Sequence, residues 1–293
     1  MGYKIGDIKG VPAGLIQSLQ DMGLGDTDAL LLALVDPEAR AAAAGKLGID
    51  EGVLAELVNQ ADLLRVPGIG PAYTSLLNAA GVHSVADLRA AGPGLYDRLV
   101  QAGGTLGVKR LPKGVEVTSW VTSAATMQDA AGWAVTTRSA AMRGLFAEDE
   151  WQQITQAPLA AAALVVNASP SDSKDVTAEL WGAAVAVNSA RAAARPESLV
   201  NLAFPQDLSA DEFARFMGET PPAALLSLIA AATDVVRAKA DAGQLAAYQQ
   251  MIIHVAQQAA ESARESGGFL GMGKKLVSEE EEAVLDQIYD AVV

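Results

Sequence analysis

Apolar residues along this chain recur three and four positions apart with almost no strict alternation, so the pattern predicts helices nearly throughout. Val53, Leu54, Leu57, Leu63 and Leu64 form one stripe of a helix capped by Asp50, preceded by an alanine-rich helix that ends at Gly48. Two segments read as copies of one another. Setting DIKGVPAGLIQSLQDMGL from Asp7 against RVPGIGPAYTSLLNAAGV from Arg65 places Gly10 on Gly68, Leu19 on Leu77, Gly23 on Gly81 and Leu24 on Val82. Each copy predicts a short helix ending at a glycine turn and a second helix of about ten residues closed by a left-handed glycine. A further helix then starts after Thr27 or Ser84.

Downstream, VKRLPKGVEVTSWVTSAATM predicts a short extended piece, with at most one strand near Val115, and then a helix carrying Trp120 and Val121. An amphipathic helix with Trp133, Met142 and Leu145 follows. The remainder predicts long alanine-rich helices over Glu148 to Ala168, Val176 to Ala194, Pro221 to Ala240, Gly243 to Glu265 and Ser278 to Val292, with a broken stretch through Phe204 and Phe216. Asp175, Ser209 and Thr220 stand where N-caps are wanted, with Pro221 as a first helical residue. Ser278 and Glu281 make a capping box, and four glutamates in that first turn complement the helix dipole.

Composition agrees with this pattern. Half of the 293 residues are apolar but only 5% are aromatic, so the core must come from close helix-on-helix packing around alanine. The absence of cysteine excludes disulfides, thiolate metal sites and cysteine nucleophiles. No secretory signal is visible between Met1 and Leu30, and the apolar runs Ala157 to Val166 and Ala223 to Ala232 fall short of the roughly 18 residues of a spanning helix. A cytoplasmic protein without a membrane partner is expected. Of the net charge of −14, residues 1–128 carry 10 basic against 13 acidic groups, and the rest carries 11 against 22. The expected organisation is therefore a repeat domain over 1–128 and an acidic helical bundle over 129–293, parting between Met127 and Phe146.

The string ADLLRVPGIGPAYTSLLNAAGVHSVADL, followed by RLPKGVEVTSWVTSA, resembles a family of domains of unknown function built from tandem helix-hairpin-helix units, over about residues 3–128. The resemblance implies an all-α fold, a tandem helix-hairpin-helix domain followed by the acidic bundle, and it implies no activity. The C-terminal half resembles the tellurite-resistance-B type of helical bundle through GGFLGMGKKLVSEEEEAVLDQI. That fold carries paired carboxylates in an acidic loop, and SPSDSKDVTAE departs from the pattern.

A helix-hairpin-helix turn such as Pro67-Gly68-Ile69-Gly70 lets backbone N–H groups and the next helix N-terminus approach a phosphate, because glycine offers no Cβ obstruction. DNA binders add Lys or Arg along the second helix, and none occurs from Val66 to Leu88. Arg65 and the cluster Lys109, Arg110 and Lys113 are the nearby cations, so the candidate phosphate-contacting set is Arg65, Gly68, Ile69, Gly70, Lys109, Arg110 and Lys113. Gly268 to Lys274 fits G-x-x-x-x-G-K, but Lys275 stands where a P-loop needs a hydroxyl, so Gly267, Gly268, Gly271 and Gly273 read as an inter-helix turn. His83 and His254 have no ligand partners at metal spacing. Asp172, Asp175 and Glu179 crowd one loop without the glycine of a calcium loop. Trp120, Trp133, Trp151 and Trp181 read as core anchors, with an interface contact as the alternative for one of them.

No catalytic, metal or cofactor set emerges. The expectation is a non-catalytic binding or scaffold protein acting through a protein partner or as a homo-oligomer. Weak, sequence-independent DNA association through the hairpin is the alternative, and an uncharacterised enzyme the third reading.

Overall fold

A computed structural model of the chain describes residues 2–108, 110–168, 173–217, 220–262 and 278–293. It is all-α, with sixteen α-helices and no strand among the described residues. The chain divides into two compact units, residues 1–138 and 139–293.

The N-terminal unit contains α1 (Ala13–Asp21), α2 (Thr27–Leu34), α3 (Pro37–Leu47), α4 (Glu51–Leu63), α5 (Pro71–Ala79), α6 (Val85–Ala90), α7 (Leu95–Leu106) and α8 (Gly114–Thr126). α9 (Ala130–Gly144) begins in this unit, and the division falls within it. The internal copy is visible bond by bond at an offset of 58 residues. Gly10 and Gly68 take φ of 86° and 88°, and Gly23 and Gly81 take 78° and 77°. Ile8 N–H donates to Ile5 as Val66 does to Leu63, and Leu24 N–H donates to Leu19 as Val82 does to Leu77. The side chains of Asp26 and Ser84 each accept from the N–H three residues on. Leu19, Leu30, Leu77 and Leu88 are fully buried, so each copy contributes equivalent anchors to its own apolar cluster.

Asp26, not Thr27, caps α2. Thr27 is instead buried, and its hydroxyl accepts from Tyr3 N–H at 3.0 Å. Near Val115, where at most one strand is expected, the chain forms a first turn of helix: Lys113 N–H donates to Glu116 at 2.6 Å, and this capping contact outweighs the β preference of Val115 and Val117.

Five of the six arginines in this unit reach main-chain carbonyls at or just past helix C-termini. Arg40 reaches Leu34, Arg65 reaches Gln128, Arg89 reaches Ala124 and Met127, Arg98 reaches Ala80 and Ala91, and Arg138 reaches Leu32. The last carbonyls of a helix lack internal donors and sit at its negative end, so a guanidinium there satisfies both needs.

The C-terminal unit is built from α10 (Glu148–Ala168), α11 (Ser173–Ala193), α12 (Leu199–Ala203), α13 (Ala210–Phe216), α14 (Pro222–Lys239), α15 (Ala242–Ser262) and α16 (Glu279–Val292). One apolar cluster spans them, dominated by alanines of α10, α11 and α15. Small side chains let helix axes approach closely, which replaces the volume that aromatic residues would supply. The capping boxes at Ser209 with Glu212 and Ser278 with Glu281 are formed. Pro221 is the N-cap of α14 and Pro222 its first helical residue, so Thr220 lies one position further out. α11 starts at Ser173, which puts Asp175 inside the first turn rather than at the cap. The glycine segment Gly267 to Lys275 lies outside the described residues, as does Asp172. No described helix is long and apolar enough to cross a membrane.

Pro158 lies inside α10 and removes the N–H that would bond the Ile154 carbonyl. That carbonyl accepts instead from the Tyr248 hydroxyl of α15 at 2.8 Å, where burial pushes the phenol's pKa up and keeps it a donor. Tyr248→Phe is therefore expected to cost about 1–3 kcal/mol, the penalty of an unsatisfied buried acceptor. In a Pro158→Ala background the restored helical N–H takes over, so the same change is expected to cost measurably less. Urea unfolding of the four-member cycle checks this, and strictly additive losses would refute the pairing.

Candidate functional site

The second glycine turn is built from the end of α4 to the start of α5. Ile69 N–H closes it on the Val66 carbonyl at 3.0 Å, Gly68 takes its positive φ, and Gly70 is an extended N-cap ahead of Pro71. Ile69 is buried, and its carbonyl accepts from the Tyr3 hydroxyl at 3.5 Å. Behind the turn stands Trp120, buried and tilted against Tyr73 with ring centroids 5.1 Å apart. A Cβ added to Gly68 would lie 3.1 Å from the Trp120 indole nitrogen. Glycine is thus required twice, by the left-handed backbone and by the indole. Gly68→Val is expected to destabilise the N-terminal unit by about 2–3 kcal/mol. Thermal unfolding checks this; unchanged melting with a lost binding activity would instead mark the turn as a contact surface.

Of the cations expected to assist the turn, the described ones, Arg65, Arg110 and Lys113, are not brought together by the fold. The Arg65 side chain is only 9% exposed. It pairs with Asp62 at 2.5 Å, donates to the Gln128 carbonyl at 2.7 Å and lies over the Trp133 ring at 5.2 Å. A recess of about 420 Å³ borders Arg65, Gln128, Trp133 and Asp28, but the guanidinium there is already held by its internal partners. Gln128 follows the C-terminal end of α8, whereas Lys113 is its N-cap, and thirteen helical residues put about 20 Å between those ends. Arg110 is exposed and lies 3.8 Å from Glu116, and Lys109 is outside the described residues.

Asp62 is the pivot of this arrangement. It is buried, and its second oxygen accepts from Val85 N–H at 2.8 Å, joining the end of α4 to the start of α6. Burial pushes its carboxyl above the ordinary 3.8, against the pull of the Val85 N–H and of Arg65.

The histidines stand apart. His83 offers its backbone N–H to Asp87, and His254 is an exposed residue of α15. Among the described residues, no three His, Cys, Asp or Glu side chains gather as a metal site.

The four tryptophans differ in a way their spacing did not show. Trp120 is core; Trp133 and Trp151 are half-buried under the guanidiniums of Arg65 and Arg143. Trp181 is 63% exposed on α11, with Val185 one turn on at 42%. From Val176 to Ala190 the only charged residue is Glu179, which is buried, so this outer face is uncharged on a unit carrying 21 acidic against 10 basic residues.

Residues 13–127 match the family described as Domain of unknown function (DUF4332). The match lies within the N-terminal unit and agrees with the resemblance read from the sequence. No curated protein and no solved structure matches the chain.

Proposed function

We propose that this chain is a non-catalytic cytoplasmic binding or scaffold protein that works through protein–protein contact. The observation that supports this most is the outer face of α11, where Trp181 and Val185 stand in solvent on an otherwise acidic unit. Tryptophan carries a large apolar surface and is enriched among the residues that dominate interface energies. Leaving it exposed yields no folding stabilisation from its burial, which favours a use outside the fold.

Affinity capture from the native cell, comparing the wild-type chain with Trp181→Glu, tests the reading. Specific partners, the chain itself included, should be present with the wild type and depleted at least tenfold with the variant, whose melting is unchanged. Identical partner sets from both chains would overturn it.

A further inference from the structure

We infer that the first glycine turn, at Gly10, holds a binding site for an indole ring, the tryptophan side chain of a partner polypeptide, in the place where the second copy seats its own Trp120. The site is independent of the α11 face. The last helices of the two copies correspond when counted from their N-caps, Asp50 for α4 and Lys113 for α8. Buried side chains fall four, seven and eleven residues past each cap: Leu54, Leu57 and Ala61 in α4, and Val117, Trp120 and Ala124 in α8. α4 packs on α2 as α8 packs on α6. Leu57 therefore stands where Trp120 stands.

The two turns are filled unequally as a result. At Gly68 the indole lies against the turn, its nitrogen 3.1 Å from where a Cβ would be, with the Tyr73 ring beside it. At Gly10 an added Cβ would meet nothing within 4 Å. Val11 is half-buried, whereas its counterpart Ile69 is buried, and Leu15 takes the place of Tyr73. What the smaller Leu57 leaves is a recess of about 130 Å³ bordered by Gly10, Val11, Leu15, Val53, Leu57 and Gln60. Cavities of roughly 150 Å³ hold a benzene ring, so the recess is of a size to take an aromatic ring through its open side.

One polar group on the wall narrows the choice of ring. Gln60 is only 6% exposed, and its amide nitrogen donates to Glu56 at 3.2 Å. That fixes the orientation of the amide and leaves its oxygen buried without a partner. A buried acceptor is costly to leave unmade, and an occupant that brings one N–H donor on an apolar ring supplies what it lacks. Indole is such a ring, whereas phenyl has no donor to offer. The copy and the orphaned oxygen thus point to the same occupant from separate observations.

Amide NMR of the full chain titrated with N-acetyltryptophanamide is the test. A single seated side chain should bind with Kd of order 1 mM, with saturable shifts at Gly10, Val11, Leu15 and the Gln60 side-chain amide. The 1-methylindole analogue, which lacks the donor, should bind about fivefold more weakly or worse, as should N-acetylphenylalaninamide. Leu57→Trp fills the recess from within, in the manner of Trp120, and should abolish the shifts. Val53→Arg covers the recess from a position already 41% exposed, so it should abolish them with melting unchanged, and it decides the matter if Leu57→Trp does not fold. No saturable shift up to about 20 mM overturns the site, as do shifts centred elsewhere or shifts that persist in Val53→Arg. Equal binding of the methylated analogue overturns the indole as the ring selected. Free indole that binds where the peptide Gly-Trp-Gly does not overturns a polypeptide as its source. The capture comparison with Trp181→Glu reads the α11 face and is decided separately from all of these results.

Discussion

Gly182→Ala is expected to lower the stability of the C-terminal unit by about 3 kcal/mol, although glycine to alanine inside a helix ordinarily raises stability by about 1 kcal/mol. The reversal of sign comes from the crossing of α11 and α15. A Cβ on Gly182 would lie 2.5 Å from the Gln258 carbonyl oxygen and against the Ser262 hydroxyl. The hydroxyl can turn aside; the carbonyl belongs to helix backbone and cannot. Accommodating the methyl group therefore means moving the two helices apart, which opens gaps around Ala183, Ala186, Ala256 and Ala259, all buried. Gly104 in α7 is the control, because a Cβ there meets nothing within 4 Å. Gly104→Ala should stabilise by about 0.5–1 kcal/mol. Denaturant unfolding of both variants measures the contrast, and equal signs would refute the packing argument.

Asp62→Ala is expected to cost the N-terminal unit about 3–5 kcal/mol, the range for removing one member of a buried ion pair. The loss has two parts: Arg65 keeps its charge at 9% exposure without its carboxylate, and Val85 N–H loses its acceptor. Asp62→Asn should cost less, because an amide oxygen can still accept from Val85. The pH dependence has a definite sign. The folded carboxyl holds its proton more tightly than the unfolded one, whose ordinary value is 3.8, so the native state binds more protons between the two values. The stability this adds is complete below 3.8 and is lost as pH rises through the raised folded value. The gap between wild type and Asp62→Asn should accordingly widen as pH falls from 7 towards 4. A gap that narrows over that interval would show that Arg65, not burial, dominates the carboxyl.

What the sequence disclosed and what it concealed follow from how local each feature is. The copy at an offset of 58 residues was legible because its determinants are glycines and caps acting within a few residues, and Gly68 and Gly81 do take the left-handed backbone. Ser84, Ser209 and Ser278 announced their helices for the same reason. Asp26 was missed because Thr27 beside it is equally able to cap, and only the distant Tyr3 N–H shows where the threonine hydroxyl is used. The sequence did not show which tryptophan departs from the core, and it is Trp181 that stands exposed. α11 is so rich in alanine that its inner and outer faces differ little in polarity, and its one midhelix charge, Glu179, is buried. The candidate phosphate set suffered from the opposite difficulty. Arg65 sits beside the turn in sequence, but its partners Gln128 and Trp133 lie more than sixty residues away, and nothing local reveals that they claim it. The Tyr248 bond to Ile154 spans 94 residues and is legible only as a question posed by Pro158.

Protein contact and polyanion contact make opposite demands on this chain, and the use of its arginines separates them. Arg40, Arg65, Arg89, Arg98 and Arg138 donate to carbonyls inside the N-terminal unit, and the chain carries a net charge of −14. Few cations are then left to release counterions from a duplex, and affinity for DNA should be weak and steeply dependent on salt. Fluorescence anisotropy of a labelled duplex titrated with the full chain, at low and at physiological salt, measures this directly. The expected result is no saturable binding below about 10 µM at physiological salt, with at most a weak association at low salt. Submicromolar binding at physiological salt would contradict the protein-contact reading and return Gly68, Gly70, Arg110 and Lys113 to the centre of the function.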